Sequence, residues 1–289
     1  MNVNTLAALV AARIDDQPDG GDTVSPSPRL MLFRRTQPTA LRSDLYDPVV
    51  CLILQGAKEV MVGDSPQTVG PGQSLLVSHD MPVRARIISA SNATPYLSLV
   101  LLLDLSLLRS LYEEVSDAVF EPAPAHSTRV GDADQGLVDA LSRIVALSND
   151  PVERRVMEPM LLREIHFRLL MAPHGGMLRQ LLLHDSHASN VSRAIGRIRR
   201  DFRTPLTVPK LAQEVGMSVS SFHKHFREIT ANTPLQYQKE LRLLEARRLL
   251  STGRHAVTTV AYDVGYASPN QFSREYNRKF GVPPSAHLA

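Results

Sequence analysis

The chain has few of the residues that would place it among disulfide-bonded, secreted or membrane-spanning proteins. Its single cysteine, Cys51, cannot form an internal disulfide, which fits a reducing compartment. No stretch reaches the roughly 18 consecutive apolar residues of a transmembrane helix, so we expect no membrane partner. Residues 1–14 are rich in Ala and Leu but carry no Lys or Arg before their apolar part. They therefore predict an amphipathic helix rather than a signal peptide, and we expect a cytoplasmic protein.

Acidic residues are scarce in the last third of the chain. Residues 191–289 contain 16 Lys and Arg against 7 Asp and Glu, a net charge of +9, whereas the whole chain carries +3. The remainder therefore has a net charge of −6. This uneven distribution indicates that only the C-terminal segment meets a polyanion.

The N-terminal segment has the pattern of short strands. Between residues 30 and 104, apolar runs such as 49–54 (VVCLIL) are separated by turn signals such as 70–72 (GPG). This spacing predicts a barrel or a sandwich. Residues 15–28, which are polar and rich in Pro and Gly, are expected to form a loop.

Helices are expected after the strands. Periodic apolar residues predict helices over 105–115 and 132–147, and Asp150 can cap a third helix that begins at Pro151. The helices at 105–115 and 133–147 are candidate dimer surfaces, although a helix packed on its own barrel has the same sequence pattern. Pro159 is expected to kink or restart this third helix. Residues 185–190 (DSHASN) are the best linker candidate, which predicts one domain over 1–185 and a second over 186–289.

The C-terminal segment contains a near-repeat. In each copy an apolar quartet spaced i, i+3, i+4, i+7 precedes a glycine, Gly216 or Gly265, and a Ser-led run with two aromatic residues follows. The quartets are offset by 49 residues and the Ser-led runs by 50, so one residue is inserted in the second turn. The pattern is typical of a helix-turn-helix unit, with Ser218 and Ser268 as caps of the second helices. The repeated positions are Val208, Leu211, Ala212, Val215, Phe222 and Phe226, then Val257, Val260, Ala261, Val264, Phe272 and Tyr276.

The second helix of each unit, called the recognition helix below, is expected to expose a polar face. Its aromatic residues point to the core, and the side chains between them suit base edges in the major groove or phosphates. The candidate DNA-binding residues are Ser220, Ser221, His223, Lys224, Arg227, Asn270, Gln271, Ser273, Arg274 and Arg278. Arg193 and Arg247 are further candidates for phosphate contacts. A continuous helix over 235–250, about 24 Å long, would set the two recognition helices roughly one duplex turn, about 34 Å, apart.

These residues resemble the AraC/XylS family of transcription regulators. The motifs that carry the resemblance in the C-terminal segment are 211–212 (LA), 215–218 (VGMS), 241–250 (LRLLEARRLL), 260–261 (VA), 264–266 (VGY), 272–274 (FSR) and 280–284 (FGVPP). The N-terminal segment resembles the regulatory domain of one subgroup at 54–58 (LQGAK), 70–73 (GPGQ) and 162–166 (LREIH). One departure, Ser220 and His223 in the first recognition helix, means that the operator sequence cannot be transferred from relatives.

The resemblance implies an α+β protein: an N-terminal cupin-like β-barrel with flanking helices, then an all-α domain with two helix-turn-helix units. It implies a sequence-specific transcription regulator controlled by a small-molecule effector in the barrel. The expected partners are double-stranded DNA and this effector, and a homodimer and a contact with RNA polymerase are compatible with them. Inward-facing strand positions supply the candidate effector-binding residues, Cys51 (or Leu52), Val60, Met61 and Val83.

Two other function classes compete with this interpretation. A cupin enzyme with a DNA-targeting tail would need two closely spaced histidines, a carboxylate and a later histidine, but residues 30–104 contain only His79. We therefore expect no catalytic residue, metal or cofactor, and we interpret His166 and His174 as packing or surface residues. The second class is a DNA-binding architectural protein that senses nothing. Cys51 is interpreted as a small buried hydrophobe, with an electrophile sensor as the alternative.

Overall fold

The structure is a computed structural model that describes residues 2–16, 21–62, 65–115, 126–147 and 150–287. The chain divides into two units, one made of residues 1–42 and 46–189, the other of residues 43–45 and 190–289. Within the described ranges, no helix is long and apolar enough to cross a bilayer.

The first unit combines two antiparallel sheets with helices that cover one of them. Its elements, in chain order, are α1 (Val3–Asp15), β1 (Thr23–Ser27), β2 (Leu30–Arg35), β3 (Arg42–Tyr46), β4 (Val49–Gln55), β5 (Ala57–Val62), β6 (Ser65–Val69), β7 (Gln73–Val77), β8 (Met81–Ser89), β9 (Tyr96–Leu102), α2 (Leu105–Glu114), β10 (Thr128–Asp132), α3 (Gln135–Ala146), α4 (Pro151–Met171), a 3₁₀ turn (Pro173–Gly175) and α5 (Gly176–Leu182). One sheet has the order β1-β2-β9-β4-β7-β10 and the other β3-β8-β5-β6. This is the predicted cupin-like barrel with flanking helices.

The central strand β4 explains why the barrel has two apolar layers. Six of its seven residues, VVCLIL, are buried, because successive side chains point to opposite faces and both faces are covered. Val50 and Leu52 pack under the helices, whereas Cys51 and Ile53 pack between the two sheets in what we call the inner core. Each such fully buried aliphatic side chain contributes about 1.5–3 kcal/mol.

Helices α1, α2 and α3 pack their apolar faces against the barrel. Leu6 and Val10 of α1, Leu108 of α2 and Ile144 of α3 all belong to the layer that covers the six-stranded sheet. The apolar faces of α2 and α3 are therefore not free, which argues against these faces as the dimer surfaces expected from the sequence.

Two local expectations were wrong, and one of the two alternatives at Pro159 is excluded. The expected loop over 15–28 contains β1 within its described part, and Pro26 is tolerated there because β1 is the edge strand of its sheet. The helix expected from 132 begins at Gln135, since β10 extends to Asp132 and Asp134 provides the cap. Helix α4 begins at Pro151 with Asp150 as its cap, as expected, and it continues through Pro159, which excludes a restart and leaves the expected kink a prediction. The helix can continue because that side is exposed and water can bind the freed carbonyl.

The second unit is helical apart from residues 43–45, which lie in β3. Its elements are α6 (His187–Arg200), α7 (Val208–Glu214), α8 (Val219–Thr230), α9 (Pro234–Leu250), α10 (Val257–Asp263), α11 (Pro269–Phe280) and a 3₁₀ turn (Pro284–His287). Helix α6 already begins inside the segment 185–190 that the sequence suggested as a linker. The connecting helix expected over 235–250 is α9, which begins one residue earlier at Pro234 and ends at Leu250.

Candidate nucleic-acid interface

The two helix-turn-helix units, α7–α8 and α10–α11, close their turns with the same hydrogen bonds. In the first, the amide of Gly216 donates to the Gln213 carbonyl at 3.0 Å and the amide of Met217 to the Ala212 carbonyl at 2.9 Å. In the second, Gly265 and Tyr266 repeat this pair of bonds at 2.9 Å each. This is the Schellman arrangement, which requires a left-handed residue after the helix, and both glycines have positive φ, +75° and +89°. The predicted turns are therefore present.

A serine caps each recognition helix, α8 and α11. The Ser218 hydroxyl accepts the amide of Ser221 at 3.2 Å, and the Ser268 hydroxyl accepts that of Gln271 at 3.4 Å. The second turn is one residue longer than the first, since Ser218 follows Gly216 by two residues and Ser268 follows Gly265 by three. Each cap satisfies a backbone donor that the first turn of a helix leaves free.

Aromatic stripes fix the inner faces of both recognition helices. Phe222 and Phe226 are fully buried with ring centroids 5.4 Å apart, and Phe272 and Tyr276 repeat the same burial and spacing. Phe280, expected to point inward, is only half-buried. The buried stripes leave the opposite helix faces to solvent.

The polar candidates lie on these outer faces. Eight of the ten are exposed, and the two serines at 221 and 273 are half-buried. Four of the exposed residues, Lys224, Arg227, Arg274 and Arg278, form no ion pair with any residue that the structure describes. Two recognition helices thus each carry a pair of unneutralised cations.

Other basic residues of the second unit hold the fold together. Arg193 donates to the Asn190 side chain at 2.8 Å and to the Val215 carbonyl at 3.0 Å, which ties α6 to the end of α7. Arg247 stacks on the Phe280 ring, 5.0 Å from its centroid. The two residues suggested from the sequence as phosphate contacts therefore have structural partners, which the sequence could not reveal.

Helix α9 packs against both helix-turn-helix units. Tyr237, near its start, packs edge-on against Phe226 with centroids 5.7 Å apart. Leu243 and Leu250, farther along α9, pack with Phe272 of the second helix-turn-helix unit. The 17 residues of α9 span about 25 Å. Because α9 contributes to the cores of both helix-turn-helix units, it should hold the two recognition helices in a fixed relation.

A polar network on α11 was not found from the sequence. Glu275 accepts from the Tyr266 hydroxyl at 2.9 Å and from the Lys239 ammonium at 3.1 Å, so it ties α11 to the turn and to α9. Partial burial disfavours the charged carboxylate, but these hydrogen bonds outweigh it and hold the pKa of Glu275 below its usual value. The sequence signal that could have revealed this network is Glu275 itself, an acidic residue within a basic helix face.

The histidines of the first unit have packing roles. His79 lies between the Ser78 hydroxyl at 2.8 Å and the Ala188 carbonyl at 3.3 Å, and burial lowers its pKa to about 4. The His166 ring accepts the Asp104 amide at 2.8 Å, and the His174 ring bonds the Ser74 hydroxyl at 2.9 Å. Among the residues described, no group of three His, Cys, Asp or Glu side chains is placed to hold a metal ion.

The candidate effector residues fall on two different faces. Cys51, Val60 and Val83 belong to the inner core, where the Cys51 side chain is 1% exposed. Met61 lies outside the inner core, because it follows Val60 on β5 and successive side chains point to opposite faces. The placement of Cys51 is that of a small buried hydrophobe.

Two family descriptions match most of the chain. "AraC-type transcriptional regulator N-terminus" matches residues 26–177, more than half of the chain, and "Helix-turn-helix domain" matches residues 211–289. The chain is similar to the HTH-type transcriptional activator RhaS of Salmonella schwarzengrund (strain CVM19633), with 29% identity over 125 residues, 42% of this chain and 44% of RhaS. RhaS of Pectobacterium carotovorum subsp. carotovorum (strain PC1) is 28% identical over 101 residues, 35% of this chain and 36% of that protein. The chain thus aligns with less than half the length of these relatives.

Solved structures of ToxT from Vibrio cholerae share the fold over both units. The P21 form gives a TM-score of 0.57 at 14% identity and covers 90% of this chain and 97% of ToxT. A ToxT structure from strain SCE256, described as bound to an unsaturated fatty acid, gives a TM-score of 0.57 at 14% identity and covers 92% of this chain and 96% of that one. At this identity the likeness concerns the fold alone.

Proposed function

The chain belongs to the AraC-type transcriptional regulators, and from this premise we propose that it binds double-stranded DNA through both helix-turn-helix units to regulate transcription. The observation that carries the proposal is the pair of unneutralised cations on each recognition helix: Lys224 and Arg227 on α8, Arg274 and Arg278 on α11. Some other cations of the second unit are neutralised, as Lys279 is by Glu240 and Arg248 by Glu245. Exposed cations without acidic partners are available to phosphates and to guanine edges.

The exposed side chains of the recognition helices suit different parts of the duplex. His223 on α8 and Asn270 and Gln271 on α11 can pair with base edges, and Arg274 can bind a guanine with two hydrogen bonds, worth about 1–3 kcal/mol of discrimination. Ser220, Ser221 and Ser273 suit bases or phosphates. The rigid connection through α9 supports insertion of both helices into successive major grooves on one face of the duplex.

We propose further that a small-molecule effector binds between the two sheets of the first unit. The cupin-like barrel supports this assignment, as does the ToxT neighbour with its bound fatty acid, because a fold of this size can hold one small ligand. Such an effector would act by binding one arrangement of the chain more tightly than another.

A homodimer through α4 is part of the proposal. One face of this helix exposes Val152, Val156, Met160, Phe167 and Met171 by 40% to 61% of their surface. The spacing is symmetric about the helix midpoint, so two antiparallel copies of α4 would place Val152 against Met171 and Val156 against Phe167. The one charge in the middle of the face, Arg163, is neutralised by Glu114 at 2.5 Å. Self-complementary apolar residues of this kind favour a second copy of the chain as the occupant.

Activation of transcription completes the proposal. The RhaS relatives are named transcriptional activators, and activation would require a contact with RNA polymerase. This step rests on relatives that align over less than half of their length, so it depends on the DNA-binding step being correct.

Selection of duplexes from a random pool tests the DNA-binding proposal. The full chain is expected to enrich a site with two conserved segments about 10 base pairs apart, centre to centre. An unenriched pool, or a site with one conserved segment, would contradict binding by two recognition helices.

A further inference from the structure

A lysine faces the inner core of the barrel. Side chains alternate along β5, so Lys58 lies on the same face as Val60, which is fully buried in the inner core. The intervening Glu59 lies on the outer face, where it binds Arg86 at 2.8 Å. The nearest acidic residue in sequence is thus committed to another cation and turned away from Lys58.

The Lys58 ammonium has neutral hydrogen-bonding neighbours. It donates to the Tyr46 hydroxyl at 2.6 Å and lies 4.9 Å from the centre of that ring. Cys51 and Tyr96 are the other titratable groups close to it. No carboxylate among the described residues pairs with it, so none of its three N–H donors has an anionic acceptor.

The ammonium form of Lys58 is favoured despite burial. Burial disfavours the charged form, whereas the hydrogen bond to the Tyr46 hydroxyl favours it, and on balance the pKa of Lys58 is raised. A half-buried cation without a counter-charge carries a desolvation cost that an anionic ligand would relieve.

The inner core also leaves apolar surface within reach of a ligand. Val100 and Leu102 lie on the inner face of β9, in the middle of the six-stranded sheet, yet both remain half-buried. Leu99 and Leu101, on the outer face of the same strand, are completely covered. Ile87 of β8, which pairs with Lys58, is likewise half-buried on the inner side. Some apolar surface on the inner faces of β8 and β9 is therefore accessible to a ligand.

We propose that Lys58 and Tyr46 bind the carboxylate of a small organic acid whose apolar body lies against Val100, Leu102 and Ile87. A single cation matches one carboxylate, whereas a phosphate dianion would call for more positive charge. A sugar would need several polar partners, but most of the surrounding side chains are aliphatic. The inference rests on the proposed effector site, and it adds the chemical class of the effector and the residue that selects it.

Binding of matched acids and amides tests this inference on the full chain. Calorimetry would use benzoate, cinnamate and octanoate, each beside its primary amide, at concentrations up to millimolar. At least one acid should bind, and its amide should bind at least about tenfold more weakly, because hydrogen bonds to charged groups are stronger than those to neutral groups. Equal binding of acid and amide, or no binding of any acid, would overturn the inference.

Variants separate this inference from the proposed function. Lys58→Met should weaken the acid about tenfold or more, Lys58→Arg should retain part of the binding, and Arg86→Met, on the outer face of the same barrel, should change nothing. Retained acid binding in Lys58→Met with unchanged circular dichroism would also overturn it. Binding of the unmodified chain and of the variants to a selected duplex is measured in parallel. If the unmodified chain does not bind DNA, the proposed regulator is refuted. If the chain binds DNA and only the amides bind in the barrel, only the acid class is refuted.

Discussion

The two turn glycines, Gly216 and Gly265, look equivalent in the sequence, but their surroundings predict unequal tolerance of alanine. A Cβ atom at Gly216 would meet nothing within 4 Å. A Cβ atom at Gly265 would lie 2.1 Å from the carbonyl oxygen of Arg203 and 2.8 Å from its carbonyl carbon. Both positions have left-handed φ, so each substitution carries backbone strain, but only the second adds a clash with backbone atoms.

The clash at Gly265 is not easily relieved, because the segment around Arg203 is held in place. Arg242 donates to the carbonyls of Phe202 at 2.7 Å and Arg203 at 3.2 Å, and Gln238 donates to that of Phe202 at 3.0 Å. Moving the Arg203 carbonyl away from a new Cβ atom would strain or break these bonds. We expect about 1–2 kcal/mol for Gly216→Ala from left-handed strain. For Gly265→Ala we expect about 2–5 kcal/mol, since overpacking adds about 1–3 kcal/mol.

Hydrogen exchange followed by mass spectrometry on the full chain measures this difference locally. Peptides from α10 and α11 should exchange faster in Gly265→Ala than those from α7 and α8 in Gly216→Ala, by a factor that corresponds to at least about 1 kcal/mol. Equal loss of protection in the two variants would refute the argument from the Arg203 contact.

Three further predictions concern the recognition helix, the half-buried carboxylate of Glu275 and the dimer. Arg274→Ala should weaken binding to a selected duplex by about 1–3 kcal/mol and binding to random DNA by less. The control, Arg248→Ala, should change little, because Arg248 is paired with Glu245. Equal losses on the selected and the random duplex would show that Arg274 does not contact bases. The lowered pKa of Glu275 means that its stabilising effect is present at neutral pH and is lost as the pH falls through that lowered pKa, so the gap in melting temperature between the unmodified chain and Glu275→Gln should shrink on acidification; a gap that is constant with pH would contradict this. Phe167→Glu should dissociate a dimer in analytical ultracentrifugation, but Ile88→Glu, at an apolar residue of similar exposure on β8, should not; dissociation in both or neither would exclude α4 as the interface.

The helix-turn-helix units could be predicted from the sequence because their determinants are local. An apolar quartet, a glycine that permits left-handed φ and a serine cap lie within about one dozen residues, and each acts on its immediate neighbours. The extra residue between Gly265 and Ser268, compared with Gly216 and Ser218, is visible as a shift in the repeat. Helix α9 was likewise placed to within one residue.

Features that depend on distant partners could not be predicted in this way. Arg193 and Arg274 are both basic residues on helices, and only the structure shows that the first binds the Val215 carbonyl whereas the second has no acidic partner among the residues described. In β5 the sequence leaves open whether Val60 or Met61 points inward, so the orientation of Lys58 is open as well. The strand β1 was missed because Pro26 and its polar neighbours are typical of loops, and only pairing with β2 makes the segment extended.

The spacing of the two DNA segments tests the central claim most directly, because two rigidly joined recognition helices must meet the same face of the duplex. Once a site is selected, the affinity of the full chain is measured before and after insertion of about 5 base pairs, half a helical turn, between the two segments. The half-turn insertion should weaken binding about tenfold or more at fixed salt concentration. Unchanged affinity for the expanded site would contradict simultaneous binding by α8 and α11.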